Sequence, residues 1–332
     1  MAANALLALG IITIALAAPL RAADYKAEPG PFAVTVERGS WIDRARNDRE
    51  VPWKLYLPKV DAPAPVVLWS HGLGGSRDGA EYLGRHLASH GYAAFHIQHA
   101  GSDSVVAKRG RKVLFDAARD PDVSLQRFLD VPFAVAQIGA LHKVGPWAGR
   151  FDVERIGMSG HSFGAVTTMV AAGQAVGGEA MQFGVPEIDG AFVMSPSPPR
   201  NLQTDRAYTG IAVPIFHVTG TRDSALFGDN MQPADRRIPF DRIQRVDQYL
   251  LVLKDGVHMT FSGRRDQSYP ALERHHALIR MAAVAFWDAV LKDDPVAREW
   301  LDHGGLAGAL GAEGTLETKG ADGTVEIKRA SR

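Results

Sequence analysis

The 332-residue chain has no cysteine. That excludes disulfides, thiolate metal sites and a cysteine nucleophile, and it suits export without an oxidative folding step. It also has no surplus of charge of either sign, with 37 basic and 37 acidic residues. A nucleic acid or an anionic membrane surface held by bulk charge is therefore not expected. The one basic cluster, Lys108-Arg109-Gly110-Arg111-Lys112, is flanked by ordinary sequence and reads as a solvated loop. Internal repeats and low-complexity linkers are absent, and no histidine–carboxylate cluster has metal-ligand spacing. The glycine-rich stretch at 72–76 is not followed by Gly-Lys-Ser/Thr, so it is no phosphate loop. Neither metal nor cofactor is expected.

Long apolar runs are also missing after the first residues. The opening "MAANALLALGIITIALAAPLRAADYK" has an apolar core from about Ala5 to Ala18, a break at Pro19, and small residues around Ala22 and Ala23. This is the shape of a secretory signal peptide over 1–22, and the run is short for a membrane span. It departs from the pattern in having no Lys or Arg before the apolar core. The expectation is an exported protein, periplasmic or secreted, with no stable membrane insertion after cleavage; the alternative reading of the same run is a non-cleaved membrane anchor. Residues 23–332 are expected to form a single domain, with 303–332 as a C-terminal extension whose last stretch, 314–332, is a short hairpin or a loose tail.

What is present is an alternation of strand and helix patterns. Residues 32–38 and 52–57 alternate apolar and polar, as half-buried strands do. Residues 64–70, 92–98, 153–159, 190–195, 213–220 and 248–254 are more continuously apolar and suit buried strands. Between them, helical spacing appears at 79–90, 123–142, 164–173, 271–292 and 294–302, with Pro132 expected to kink or divide the second of these. Such alternation predicts an α/β fold with a mostly parallel sheet and helices on both faces. Working residues in such sheets lie just beyond the carboxyl ends of the strands.

Beyond the 153–159 strand comes Gly160-His161-Ser162-Phe163-Gly164. A serine between two glycines, at a strand-to-helix junction, has the pattern of a nucleophile elbow. The turn is strained, and residues two before and two after the serine crowd each other, so both are best as glycine. A serine hydroxyl needs a base, and the base needs an acid to orient it. His258 follows the 248–254 strand, and Asp223 follows the 213–220 strand, giving the chain order Ser162, Asp223, His258. The rivals fit less well. His275 and His276 lie in a helix, and His217 lies in a strand. His161 points away from the chemistry in such a turn, and His99 precedes the serine and is expected to line the pocket. Asp255 is too near His258 in sequence to orient it, and Asp189 precedes its strand. An oxyanion needs two backbone donors. Phe163, next to the serine, is one candidate, and Leu73 in His71-Gly72-Leu73-Gly74-Gly75 is the other, with His71 bracing the loop.

These segments resemble an α/β-hydrolase of the dienelactone hydrolase and platelet-activating-factor acetylhydrolase-like group. The resemblance spans about 51–300 and rests on "WSHGLGGSR" (69–77), "GHSFG" (160–164), "VTGTRDSA" (218–225) and "KDGVHMTFSG" (254–263). It implies an α/β-hydrolase fold, Ser162 as nucleophile, His258 as base, and Leu73 and Phe163 as oxyanion donors, while the short segment after Ser195 leaves little room for a large lid domain. Two departures stand out. The platelet-activating-factor enzymes place the acid after the preceding strand, where this chain has Ser195. Dienelactone hydrolases proper use a cysteine nucleophile. The expected activity is hydrolysis of a small-molecule or lipid-like carboxylic ester, a short-chain acyl ester among them, with the 101–122 insertion forming one wall of the site. The alternatives are an amidase or peptidase with the same triad, and a catalytically silent binding protein of the same fold.

Overall fold

The computed structural model describes residues 24–177, 183–199, 204–225, 231–263 and 271–328. The expected signal peptide lies outside these residues. Among the described residues, ten strands form one mixed sheet: β1 (Val34–Asp43), β2 (Arg49–Pro58), β3 (Ala64–Ser70), β4 (Ala93–Ile97), β5 (Phe151–His161), β6 (Ile188–Met194), β7 (Ile215–Arg222), β8 (Gln248–Val257), β9 (Gly314–Lys319) and β10 (Val325–Lys328). Their spatial order is β1-β2-β4-β3-β5-β6-β7-β8-β9-β10. The six from β4 to β8 are mutually parallel, and antiparallel pairs flank them on both sides.

The helices are α1 (Glu81–Ser89), α2 (Ser104–Lys108), α3 (Arg111–Arg119), α4 (Pro121–Lys143), α5 (Phe163–Ala171), α6 (Thr204–Ala207), α7 (Ile238–Arg242), α8 (Leu272–Leu291), α9 (Pro295–Asp302) and α10 (Gly305–Leu310). Among the described residues, no helix is long and apolar enough to cross a membrane.

The continuous apolar runs are explained by burial on both faces, since all of β3 and all of β4 are buried. Their side chains alternate between two cores. Val67 and Trp69 join a cluster with Phe192, Phe216, Phe286 and Trp287, on the α1/α8 face. Val66 and Leu68 face the other way, onto Val131, Ala134 and Ile138 of α4. Ala191, Val193 and Ile215 pack with Ala165 and Met169 of α5 in a third cluster.

Three features differ from expectation or complete it. β1 runs to Asp43 because it pairs with β2 through ten consecutive residues, down to Asp43 opposite Arg49. Pro132 does not divide its helix, and α4 is continuous over 23 residues. Pro132 sits on the exposed face, while Val131, Ala134, Val135 and Ile138 anchor the helix to the sheet. Residues 314–328 of the C-terminal extension form a hairpin, not a tail. β9 pairs with β8 from Gly314 opposite Leu253 to Lys319 opposite Gln248, and Leu316 is fully buried. The basic cluster at 108–112 spans the α2–α3 junction and is exposed, with Lys112 paired to Asp116 at 2.7 Å.

Candidate active site

β5 ends at His161 and α5 begins at Phe163, so the chain must reverse at Ser162 alone. Ser162 takes φ 58° and ψ −116°, a conformation side chains rarely adopt. The flanking glycines make that possible. A Cβ on Gly160 would stand 2.2 Å from the Gly164 carbonyl oxygen, and one on Gly164 would stand 1.9 Å from the Ser70 carbonyl oxygen. The Ser162 N–H donates to the Met194 carbonyl at 2.9 Å and ties the turn to β6.

His258 opens a short 3-10 turn, His258–Ser262, directly after β8, and Asp223 follows β7. Both therefore arrive at the same sheet edge as Ser162. His258 Nε2 lies 2.9 Å from Ser162 Oγ, and its Nδ1 lies 2.8 Å from Asp223 Oδ1. A carboxylate can only accept, so Nδ1 carries the proton and Nε2 is left to accept from the serine hydroxyl. Ser195 Oγ–H and Thr219 Oγ1–H both donate to Asp223 Oδ2, at 2.6 and 2.9 Å. Burial alone would raise the Asp223 carboxyl. The His258 hydrogen bond, the Arg236 charge and the Ser195 hydrogen bond outweigh it and hold the carboxyl below its ordinary value.

Sequence reasoning passed over several of these partners. Arg236 is buried, donates to the backbone carbonyls of Asp223, Ser195 and Pro196 and to Ser197 Oγ, and sets Nη2 3.1 Å from His258 Nδ1. Nothing in "PADRRIPF" marks it, because its partners are 13 to 41 residues away. His161 does not simply point away, as expected. Its Nε2–H donates to the His258 carbonyl at 2.9 Å, and the two rings lie 4.9 Å apart. Burial, followed by the nearby His258, pushes its pKa down to about 3, so it acts as a neutral brace for the loop carrying His258. Ser195 stands after β6, and its hydroxyl meets Asp223 across the strand ends.

Leu73 and Phe163 both line the cavity that holds Ser162 and His258. Phe163 is the first residue of α5, so its N–H precedes the intrahelical ladder. The loop around Leu73 is tied on either side, by Gly74 N–H to the Ser102 carbonyl at 2.8 Å and by Gly75 N–H to the Gly72 carbonyl at 2.9 Å. His71 does brace this loop. Its Nδ1–H donates to the Gly72 carbonyl at 2.7 Å, and its Nε2 accepts from the His99 backbone N–H at 3.0 Å. His99 itself does not line the pocket. It is wholly buried, with Ser70 and Asp130 as partners. The other rivals are structural: His217 bonds to Gln248 at 3.1 Å, His276 to the Thr260 carbonyl at 2.7 Å, and Asp189 accepts from the Ile156 N–H at 2.8 Å.

The cavity has a volume of about 890 Å³. Its lining includes Phe115, Ala118, Leu125 and Phe128 of α3 and α4, with Pro198, Met231 and Met259 from elsewhere in the chain. The 101–122 insertion thus forms part of the wall. Among the described residues, no group of three or more His, Asp or Glu side chains is placed to hold a metal ion.

The chain matches no protein-family model. Comparison with curated proteins likewise returns no match.

Proposed function

We propose that the chain is a serine carboxylic-ester hydrolase of the α/β-hydrolase fold, related to the dienelactone hydrolase and platelet-activating-factor acetylhydrolase-like group and exported by its first 22 residues. The observation that carries this reading is the continuous hydrogen-bonded chain Ser162–His258–Asp223, with the serine strained at the end of β5. The strand order, with β4 and β3 exchanged and a parallel run from β3 to β8, supports the fold.

In this reaction Ser162 Oγ attacks the ester carbonyl carbon as its proton passes to His258 Nε2. The carbonyl electron pair moves onto oxygen, where the Leu73 and Phe163 N–H groups hold it. Collapse expels the alcohol oxygen, which takes the proton back from Nε2 and leaves an acyl-Ser162. Water then attacks the acyl carbon, again giving its proton to His258. The second collapse returns that proton to Ser162 and releases the acid. Asp223 stays ionised throughout and stabilises the imidazolium through Nδ1–H. Room beside Ser162 extends well past an acetyl group, so the proposed substrates include longer aliphatic or aromatic groups lying against Phe115, Leu125 and Phe128.

The test is hydrolysis of p-nitrophenyl esters from acetate to long chains, by the mature protein and by Ser162→Ala. We expect activity in the wild type that falls at least about 10⁴-fold in the variant, and a fluorophosphonate label on Ser162. An unlabelled serine, or equal turnover by the variant, would overturn the assignment.

A further inference from the structure

Behind the elbow lies a second Ser–His–Asp array that no substrate can reach. Ser70 Oγ is 2.9 Å from His99 Nε2, and His99 Nδ1 is 2.9 Å from Asp130 Oδ2. All three residues are fully buried. Asp130 is clamped by both Arg49 Nε and Nη2 at 2.8 Å, and Arg46 Nη1 adds a contact at 2.9 Å. Arg127 closes the front of this array. It is fully buried, and among the described residues no carboxylate forms an ion pair with it. Burial draws its pKa down to about 9, so it stays charged at neutral pH. The nearby Asp130 and Asp103 charges offset part of the cost of that burial without pairing with the guanidinium, and its hydrogen bonds must supply the rest.

Every direction in which Arg127 donates leads to one of the two candidate oxyanion segments. Nη2 donates to the His71 carbonyl at 2.6 Å and to Ser70 Oγ at 3.0 Å, both just ahead of Leu73. Nη1 donates to Ser102 Oγ at 2.8 Å, and the Ser102 backbone carbonyl in turn holds Gly74 N–H. Nε donates to Thr167 Oγ1 at 3.1 Å, and that hydroxyl donates to the Phe163 carbonyl at 3.0 Å. The guanidinium also lies over the Phe163 ring, 4.3 Å from its centroid. The proton directions are then fixed. Ser70 accepts from Arg127 and so gives its own proton to neutral His99, which gives Nδ1–H to Asp130.

We infer that Arg127 is a positioning residue that locks the Leu73 loop and the first turn of α5 at a fixed separation, so that their two N–H groups form a rigid oxyanion site. This rests on the proposed serine hydrolase reading. Four donors of the planar fork perform this task, and an ammonium cannot span the same acceptors.

The experiment compares the wild-type mature protein with Arg127→Lys and Thr167→Val, using a p-nitrophenyl ester as substrate and an alkyl boronic acid as tetrahedral mimic. For R127K we expect kcat to fall about 100-fold while KM stays within about threefold, with boronate affinity weakened in parallel with kcat. T167V keeps the guanidinium and its stacking on the Phe163 ring but removes the hydroxyl that relays Arg127 Nε to the Phe163 carbonyl. We expect a fall in kcat of about tenfold at unchanged KM. Should R127K fail to fold, T167V decides alone. Retention of kcat by the folded variants, or a proportionate change in kcat, KM and Tm, would sink the positioning role. A wild type that hydrolyses no ester and takes no fluorophosphonate label would instead overturn the hydrolase reading, and this inference with it.

Discussion

Gly160 and Gly164 flank Ser162 because there is no room for a methyl group on either. A Cβ at 164 would overlap the Ser70 carbonyl and drive β3 away from the start of α5. Gly164→Ala is therefore expected to cost about 3 kcal/mol of stability, read from denaturant midpoints, together with most of the proposed esterase activity. Gly139 in α4 is the control, since a Cβ there meets nothing within 4 Å. Gly139→Ala should stabilise by about 0.5–1 kcal/mol, and equal losses at both positions would refute the steric account. The need for small residues around Ser162 was legible in five letters of sequence. The Ser195 hydroxyl on Asp223 was not, because only the parallel pairing of β6 and β7 brings residues 28 apart within 2.6 Å.

At the scale of elements, the hairpin of β9 and β10 is the clearest case of structure exceeding local signals. Its residues read equally as hairpin or tail, yet β9 covers the edge of β8 and seats Leu316 in the core beside Leu251 and Leu253. Lys319 is buried as well, with Nζ donating to the carbonyls of Phe240, Asp241 and Ile243 at 3.1, 3.0 and 2.7 Å. It caps the end of α7, whose carbonyls have no helical partner. A chain truncated after Glu313 should lose at least about 8 °C in Tm, since it removes a buried leucine and strands those carbonyls. An unchanged melting profile would show that β8 tolerates a bare edge. Pro132 teaches the converse. A strong local breaker was overridden because its ring faces water while the opposite face of α4 is held by the sheet.

For the whole molecule, the buried histidines govern the response to acid. His86, His96, His161 and His217 are held down to about 3, and His99 to about 4, in each case chiefly by burial. An unfolded histidine titrates near 6.5. Between about 6.5 and the folded values, the unfolded chain binds protons that the native chain does not, so stability falls as pH falls, by about 1.4 kcal/mol per pH unit for each such histidine. The depressed carboxyls of Asp223 and Asp130 add a further loss only below about 4. Tm is therefore expected to be flat above about pH 7 and to drop steeply from about 6.5 to 4. A profile that stays flat to pH 4.5 would mean that these histidines are protonated in the native state.

The sequence by itself determined the strand–helix alternation, the glycine frame of the elbow, and the chain order Ser162, Asp223, His258. Each of these is written in neighbouring residues, as hydrophobic period, backbone permissiveness or position after a strand. The tertiary structure alone decided that α4 is continuous, that the C-terminal hairpin completes the sheet, and that Arg127 and Arg236 are buried behind the site. A buried guanidinium needs several acceptors converging on it, and for Arg127 those acceptors come from residues 25 to 57 positions away. Their convergence is a property of how β3, α4 and α5 pack, which no local run of sequence records.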